Sequence, residues 1–238
     1  MGRPLSGLPP AGPRARKVIA VDTVIFSGEG PHADPWHRLA ETSAAIAGLI
    51  GDDGPVTVVT SVDRLGAALD GARLLVVNAS ADRSTPVPED GDFARILDAF
   101  LGGGGSLLAT HSATIAFPGL SAWRSTIGAA WDHGRSFHPP IGPSLVRRTG
   151  VEHPITAGLG DIEVHDERYT DLELVDGVDI GPLYVHDEGG ATHPLVWART
   201  VGDNRIVYNA LGHDVRSYES PGHVELLHRI VAWLRHDL

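Results

Sequence analysis

The chain has 238 residues and a formal net charge of −11, with 13 histidines, one lysine (Lys17) and no cysteine. Without cysteine there is no disulfide framework, thiolate metal site, iron–sulfur cluster or Cys nucleophile, and a lone lysine heading an apolar run is a poor basis for Schiff-base chemistry. The acidic balance argues against a nucleic-acid partner, which needs a basic face, and no window approaches the ~18 apolar residues of a membrane span.

Residues 1–16 (MGRPLSGLPPAGPRAR) mix prolines and arginines without an apolar core, which predicts a disordered leader and a cytoplasmic protein rather than a secreted one. From Lys17 the pattern alternates. Lys17–Phe26, Val56–Thr60, Leu74–Asn78 and Ser106–Thr110 read as apolar strands. Between them, Trp36–Ile50, Leu65–Leu69 and Phe93–Leu101 read as helices, the first with Leu39, Ile46, Leu49 and Ile50 on one face. Gly102–Gly105 stops the third helix. Apolar strands alternating with helices predict a parallel sheet covered on both faces, in one domain over 17–238. Further strands are expected at Ile162–Val175, Leu183–His186, Pro194–Thr200 and Arg205–Ala210, with a hairpin turn at Gly202–Asn204. Val224, Leu227, Ile230, Val231 and Leu234 make a closing amphipathic helix.

Ligands of an open parallel sheet bind beyond the carboxyl ends of its strands. The polar groups expected there are Asp22 to Gly30 with His32, then Asn78–Ala79–Ser80, then Thr110–His111–Ser112. The last is the sharpest, because a glycine stop, an apolar strand and an abrupt polar turn have the form of a nucleophile elbow, here with histidine at its tip. A serine hydrolase using Ser112 is the weaker reading, since T-H-S-A-T lacks the elbow's second glycine. The glycine run lacks the Walker lysine and the dinucleotide spacing, so no nucleotide cofactor is expected. His138, His153, His165 and His213 fall in loops or at strand ends without the local spacing of a metal motif; any one of them is more often solvated or hydrogen-bonded than functional. His223, His228 and His236 read as surface residues.

The ordered segments GGGGSLLATHSA, FHPPIG, VEHPITAGL, HDERYTDL and HPLVWARTVGDNRIVYNALGHD, with a Trp-containing last helix, resemble the trehalose-utilisation ThuA-like family. The resemblance covers about residues 17–238, with a looser match at Gly28, Gly30, His32 and His37. One departure is Gly202-Asp203-Asn204-Arg205, where the family usually has G-x-G-R. The resemblance implies a class I glutamine amidotransferase-like (flavodoxin-like) three-layer fold with extra C-terminal strands, and a role in carbohydrate metabolism. True glutaminases of that fold carry a cysteine at the elbow; His111 stands there instead, which closes thioester chemistry.

The implied partner is a small sugar, a trehalose-like glycoside or keto-glycoside, turned over by hydrolysis, elimination or isomerisation. His111, Glu167 and His213 are the expected catalytic residues; His32, His37, His138, Asp166, Tyr169 and Asp214 the expected substrate contacts. Trp131 or Trp123 could wall a sugar ring. A divalent metal (zinc, manganese or iron) on His111, His138 and His213 would suit mixed His/carboxylate chemistry. The alternative is a non-catalytic amidotransferase-like scaffold that binds a sugar or protein partner, and a homo-oligomer is left open. Convergence of His111, His138, Glu167 and His213 on one concave site favours the enzyme; scatter favours the scaffold.

Overall fold

A computed structural model of the chain describes residues 22–238. The expected leader at 1–16 and the start of the first predicted strand, at 17–21, lie outside the described residues. The first strand, β1, runs over Thr23–Ser27 and is followed by helix α1 (Leu39–Ile50) and β2 (Val56–Val59). Next come α2 (Val62–Ala68), β3 (Leu74–Asn78), α3 (Pro88–Gly102) and β4 (Ser106–Thr110). After α4 (Ser121–Ile127) come β5 (Ala129–Ala130), β6 (Gly142–Arg148), β7 (Ile162–Asp166) and β8 (Glu173–Leu174). The chain ends with β9 (Pro182–Glu188), β10 (Ala191–Val201), β11 (Asn204–Asn209) and α5 (Pro221–Leu234).

The main sheet has the order β2-β1-β3-β4-β11-β10-β9-β6-β7. Its first five strands are mutually parallel. β1, β3 and β4 are buried at every position, so their sequences run apolar without alternation, as strands covered on both faces do. The step from β1 to β2 goes one way along the sheet and the steps to β3 and β4 go the other. Right-handed crossovers therefore put α1 on one face and α2 and α3 on the opposite one, where α2 and α3 touch, while α1 meets α5. The order reverses between β1 and β3, so a ligand crevice opens beyond their carboxyl ends.

The remaining strands are antiparallel. Gly202 and Asp203 turn the predicted β10–β11 hairpin, with Gly202 at φ +61° as such a turn requires. Pro194 sits where the β10 register shifts, which is how a strand interior tolerates proline. The β6–β7 ribbon joins the sheet through only two register pairs, Arg147↔Val185 and Arg148↔Tyr184. Successive reversals bring β7 parallel to β4 again, so its carboxyl end opens at the same edge.

Several boundaries differ from expectation. The strand expected at 162–175 ends at Asp166: Glu167–Leu172 leaves the sheet, and β8 pairs with β5 in a separate two-stranded sheet. Here a polar run, Asp166-Glu167-Arg168, interrupts the alternation. Strand β6 went unpredicted because its sequence, GPSLVRR, is half exposed and has no apolar run. Helix α3 begins at Pro88 rather than Phe93; proline suits the first helical position, and Asp90 accepts a hydrogen bond from Val87 N at 3.0 Å. Asp22, expected with the loop after β1, precedes β1 and pairs with Arg73 and Arg235.

Candidate active site at the carboxyl edge

The elbow is where the sequence pattern places it. β4 ends at Thr110, and His111 opens a single 3₁₀ turn with φ at +41°, a left-handed conformation that a side-chain-bearing residue adopts only under constraint. Tyr208 Oη donates to the carbonyl of His111 at 2.7 Å, and His111 Nδ1 lies 2.6 Å from the carbonyl of Ala210. A carbonyl only accepts, so Nδ1 carries a proton, and Nε2 is the nitrogen turned toward Tyr169 Oη and Glu167. Ser112 is fully buried and its hydroxyl donates to Ala79 O, away from any histidine. The structure gives no support to the Ser112 hydrolase reading.

His37 is set up in the same way from the loop before α1. Asp34 Oδ1 accepts from the backbone N–H of Trp36 and of His37, each at 2.9 Å, an Asx turn that fixes the loop. Its Oδ2 accepts from His37 Nδ1 at 2.7 Å and from the Ser80 hydroxyl. His37 Nε2 is thereby left bare and points at Tyr169 Oη, 3.4 Å away, while the same hydroxyl lies 3.1 Å from His111 Nε2. Close backbone packing brings this loop in: a Cβ on Gly28 would lie 1.9 Å from the His32 carbonyl.

Glu167, just past β7, completes the cluster. Its Oε2 lies 3.4 Å from His111 Nε2 and 3.1 Å from His213 Nδ1, and its Oε1 lies 3.5 Å from His138 Nε2. Burial opposes ionisation of Glu167, but the neighbouring His111 and His213 imidazoles prevail and hold the carboxyl well below the usual carboxylate range. Burial also lowers His213, yet Glu167 beside it prevails and raises it. For His37 burial wins over Asp34 and its pKa is lowered, which keeps the ring neutral.

His37, Glu167, Tyr169 and His213 line a cavity of about 820 Å³, within the size range of small-molecule sites. Trp131 forms part of its wall, as expected. Trp123 does not, being core beneath Phe93 and Phe117. His138 also lines the cavity. Asp34, Trp36, His133 and Arg83 line it too and were not singled out from sequence. The D-P-W-H spacing of Asp34 and His37 was the available signal.

Three expected substrate contacts stand apart from the cavity. His32 is buried between Phe26 and Phe117 with Nε2 3.1 Å from Asp90. Asp214 caps the turn Val215–Glu219 and pairs with Arg216. Asp166 is buried, with its oxygens turned toward backbone N–H groups. Of the three histidines expected at the surface, His236 is exposed and His228 partly so, but His223 is fully buried. It lies on the same face of α5 as Leu227, Ile230 and Leu234, so the helical period itself carries it inward.

The donor set fits a divalent cation. One ligand atom each from His37, His111, Glu167 and His213 lies within 4.8 Å of all the others. His213 Nδ1 is buried 3.1 Å from Glu167 Oε2, yet it makes no hydrogen bond. Two bare imidazole nitrogens, an orphaned third and a carboxylate oxygen thus face one another, which is what ligands around an ion do. The Asp34–His37 and Ala210–His111 bonds are the outer supports that metal-bound histidines have. This set keeps His111 and His213 of the expected metal ligands and puts His37 and Glu167 in the place of His138.

The sequence matches the ThuA family model, described as trehalose utilisation, over residues 23–234. The chain therefore belongs to the ThuA trehalose-utilisation family, which connects it with carbohydrate metabolism. No protein of curated function matches it in sequence. A solved thua-like protein from Parabacteroides merdae is 18% identical with a TM-score of 0.74, covering 91% of this chain and 90% of that one. A second, from Bacteroides uniformis, is 17% identical with a TM-score of 0.66 over 94% and 95% of the two chains. A glutamine amidotransferase from Thermotoga maritima shares the fold at 8% identity and a TM-score of 0.56, over 91% and 98%. The expected amidotransferase-like fold is thus the observed one. Among the described residues, no helix is long and apolar enough to cross a membrane.

Proposed function

We propose that the protein is an enzyme acting on a small carbohydrate derivative, a glycoside or keto-glycoside, by proton transfer next to a polarised oxygen. The observation that carries this reading is the convergence of ligand atoms of His37, His111, Glu167 and His213 within 4.8 Å of one another, at the wall of a cavity that His37, Glu167 and His213 line together with His138 and Tyr169. His37, His111, His213 and Glu167 Oε2 would hold a zinc, manganese or iron ion. When bound, such an ion polarises a carbonyl or hydroxyl oxygen and stabilises the negative charge that develops on it.

The chain's own groups supply the rest. His138 is the proton carrier: its side chain is 37% exposed, against 8% for Glu167, and Nε2 lies 3.5 Å from Oε1 of that carboxylate. An imidazole can both accept and donate a proton, and this one stands between the cavity and the buried carboxylate. Tyr169 Oη has one proton for two bare nitrogens, those of His37 and His111, and so is poised to turn toward a substrate oxygen. Trp131 and Trp36 give apolar walls for the C–H face of a sugar ring. The cavity's guanidinium, Arg83, is engaged by Asp90 and by the carbonyls of Pro31 and Thr85, which favours an uncharged ligand over a phosphorylated one.

The test is turnover of trehalose and of a 3-keto-glycoside by the metal-loaded protein, in wild type, Glu167→Gln and His138→Ala. Turnover of one of them, lost in Glu167→Gln and reduced in His138→Ala, supports the reading. Turnover equal in all three, or none of either sugar, contradicts it.

A further inference from the structure

Glu167 reaches the cluster from a ribbon that the main sheet holds by two register pairs, whereas His111 and His213 follow strands of the parallel core. Something must fix the end of β7 against the end of β11. We infer that Asp166 is that device: a positioning residue that ties the backbones of Glu167 and His213 together, rather than a substrate contact. The inference rests on the proposed reading of the site and adds to it how the acid is held in register.

The geometry is specific. Asp166 is 1% exposed. Its Oδ1 accepts from the backbone N–H of Glu167 at 2.8 Å and of His213 at 3.2 Å, and its Oδ2 accepts from Gly212 N–H at 2.7 Å and from the Ser217 hydroxyl. Both oxygens are therefore filled by donors, and none of their capacity faces the cavity. Gly212 has φ +119°, and a Cβ there would lie 2.5 Å from Tyr218 Oη, so the turn that aims His213 needs glycine as well as this anchor.

The anchor is itself held. Asn209, the last residue of β11, donates from Nδ2 to His223 Nε2 at 2.9 Å, so His223 carries its proton on Nδ1. Nδ1 lies 2.9 Å from Ser217 Oγ and 3.0 Å from the Ser217 carbonyl, which leaves the Ser217 hydroxyl proton for Asp166. Every proton has one place, and the chain Asn209–His223–Ser217–Asp166 runs unbroken from the sheet to the site. Ser, His and Asp here do not form a hydrolase triad, because the serine is fully buried and its proton goes to the aspartate, not the histidine.

Asp166→Asn tests this, since an amide puts an N–H₂ group against donors that need an acceptor. Ser217→Ala is the milder companion. In the metal-free proteins, amide hydrogen exchange at Gly212 and His213 is expected to speed about 10- to 100-fold in Asp166→Asn, while the amides of β3 and β4 keep their protection. Zinc affinity, measured by competition with a chelator, is expected to fall about 10- to 100-fold in Asp166→Asn and less in Ser217→Ala. Unchanged exchange overturns the clamp whether or not metal binds. Faster exchange with zinc affinity equal to wild type overturns the positioning role. A wild type that binds no zinc overturns the metal reading of the site, and exchange then decides the clamp alone.

Discussion

The two sides of the site are built differently. On the parallel side, His37 and His111 stand on loops that leave buried strands, and each ring is fixed by one short bond, to Asp34 or to the Ala210 carbonyl. On the ribbon side, Glu167 comes from a strand at the far end of the sheet order and is fixed through its neighbour's carboxylate rather than its own. The parallel core thus presents imidazole nitrogens at the strand ends where such folds place ligands. The antiparallel extension brings the negative charge. On the proposed reading, that division lets an amidotransferase-like scaffold without a cysteine carry chemistry: the elbow residue becomes one donor among several, and the added strands supply the acid.

Substitutions at the two sides should therefore break the site in different ways. The largest effect is expected from Glu167→Gln, which removes the charge that three imidazoles face; turnover should fall about 10²- to 10⁴-fold in steady-state assays. Next comes Asp34→Asn, which deprives His37 Nδ1 of its carboxylate; zinc affinity by chelator competition should drop about 10- to 100-fold, with glycoside KM little changed. His32→Ala should leave turnover at the wild-type level, since His32 is away from the cavity, yet cost about 1–3 kcal/mol in a denaturant titration. A loss of turnover there would return His32 to the site.

The smallest effect is a pH dependence. Burial lowers the pKa of His32, His37, His153, His186 and His223, whereas His213 is raised by Glu167 against its own burial. A lowered folded-state pKa stabilises the protein above the unfolded value near 6.5, and that stabilisation is lost as pH falls below 6.5 toward the folded values. The raised His213 acts with opposite sign. Tm of the metal-free protein should consequently fall between pH 7.5 and pH 5.5. A Tm that is flat or rising over that range would mean that the buried histidines accept protons in the folded state.

Much of this was legible in the chain. The apolar runs TVIFS, LLVVN and SLLAT read as strands covered on both faces, and the glycine stop before SLLAT put His111 at an edge. The family resemblance pointed to Glu167, Tyr169 and His213, which the fold brings to one cavity. The chain gave Glu167 the catalytic role but also left Asp166 as a substrate contact: neighbours at a strand end point to opposite sides, and the backbone N–H groups of the turn beyond β11 are what take Asp166 away from the cavity. The choice between His37 and His138 likewise depends on His37 meeting Tyr169 and His213 across long sequence separations. His32 looked like an edge residue because it follows β1, but Phe26 and Phe117 close over it.

On the proposed reading, His37, His111, Glu167 and His213 act as one metal-assisted centre. The most direct measurement is a calorimetric zinc titration of the full chain near pH 7.5, in wild type and in His111→Ala, with circular dichroism to show that both are folded. One ion per wild-type chain and no stoichiometric binding in the folded variant are expected. A wild type that binds no ion, or a variant that binds as tightly as wild type, would contradict that reading.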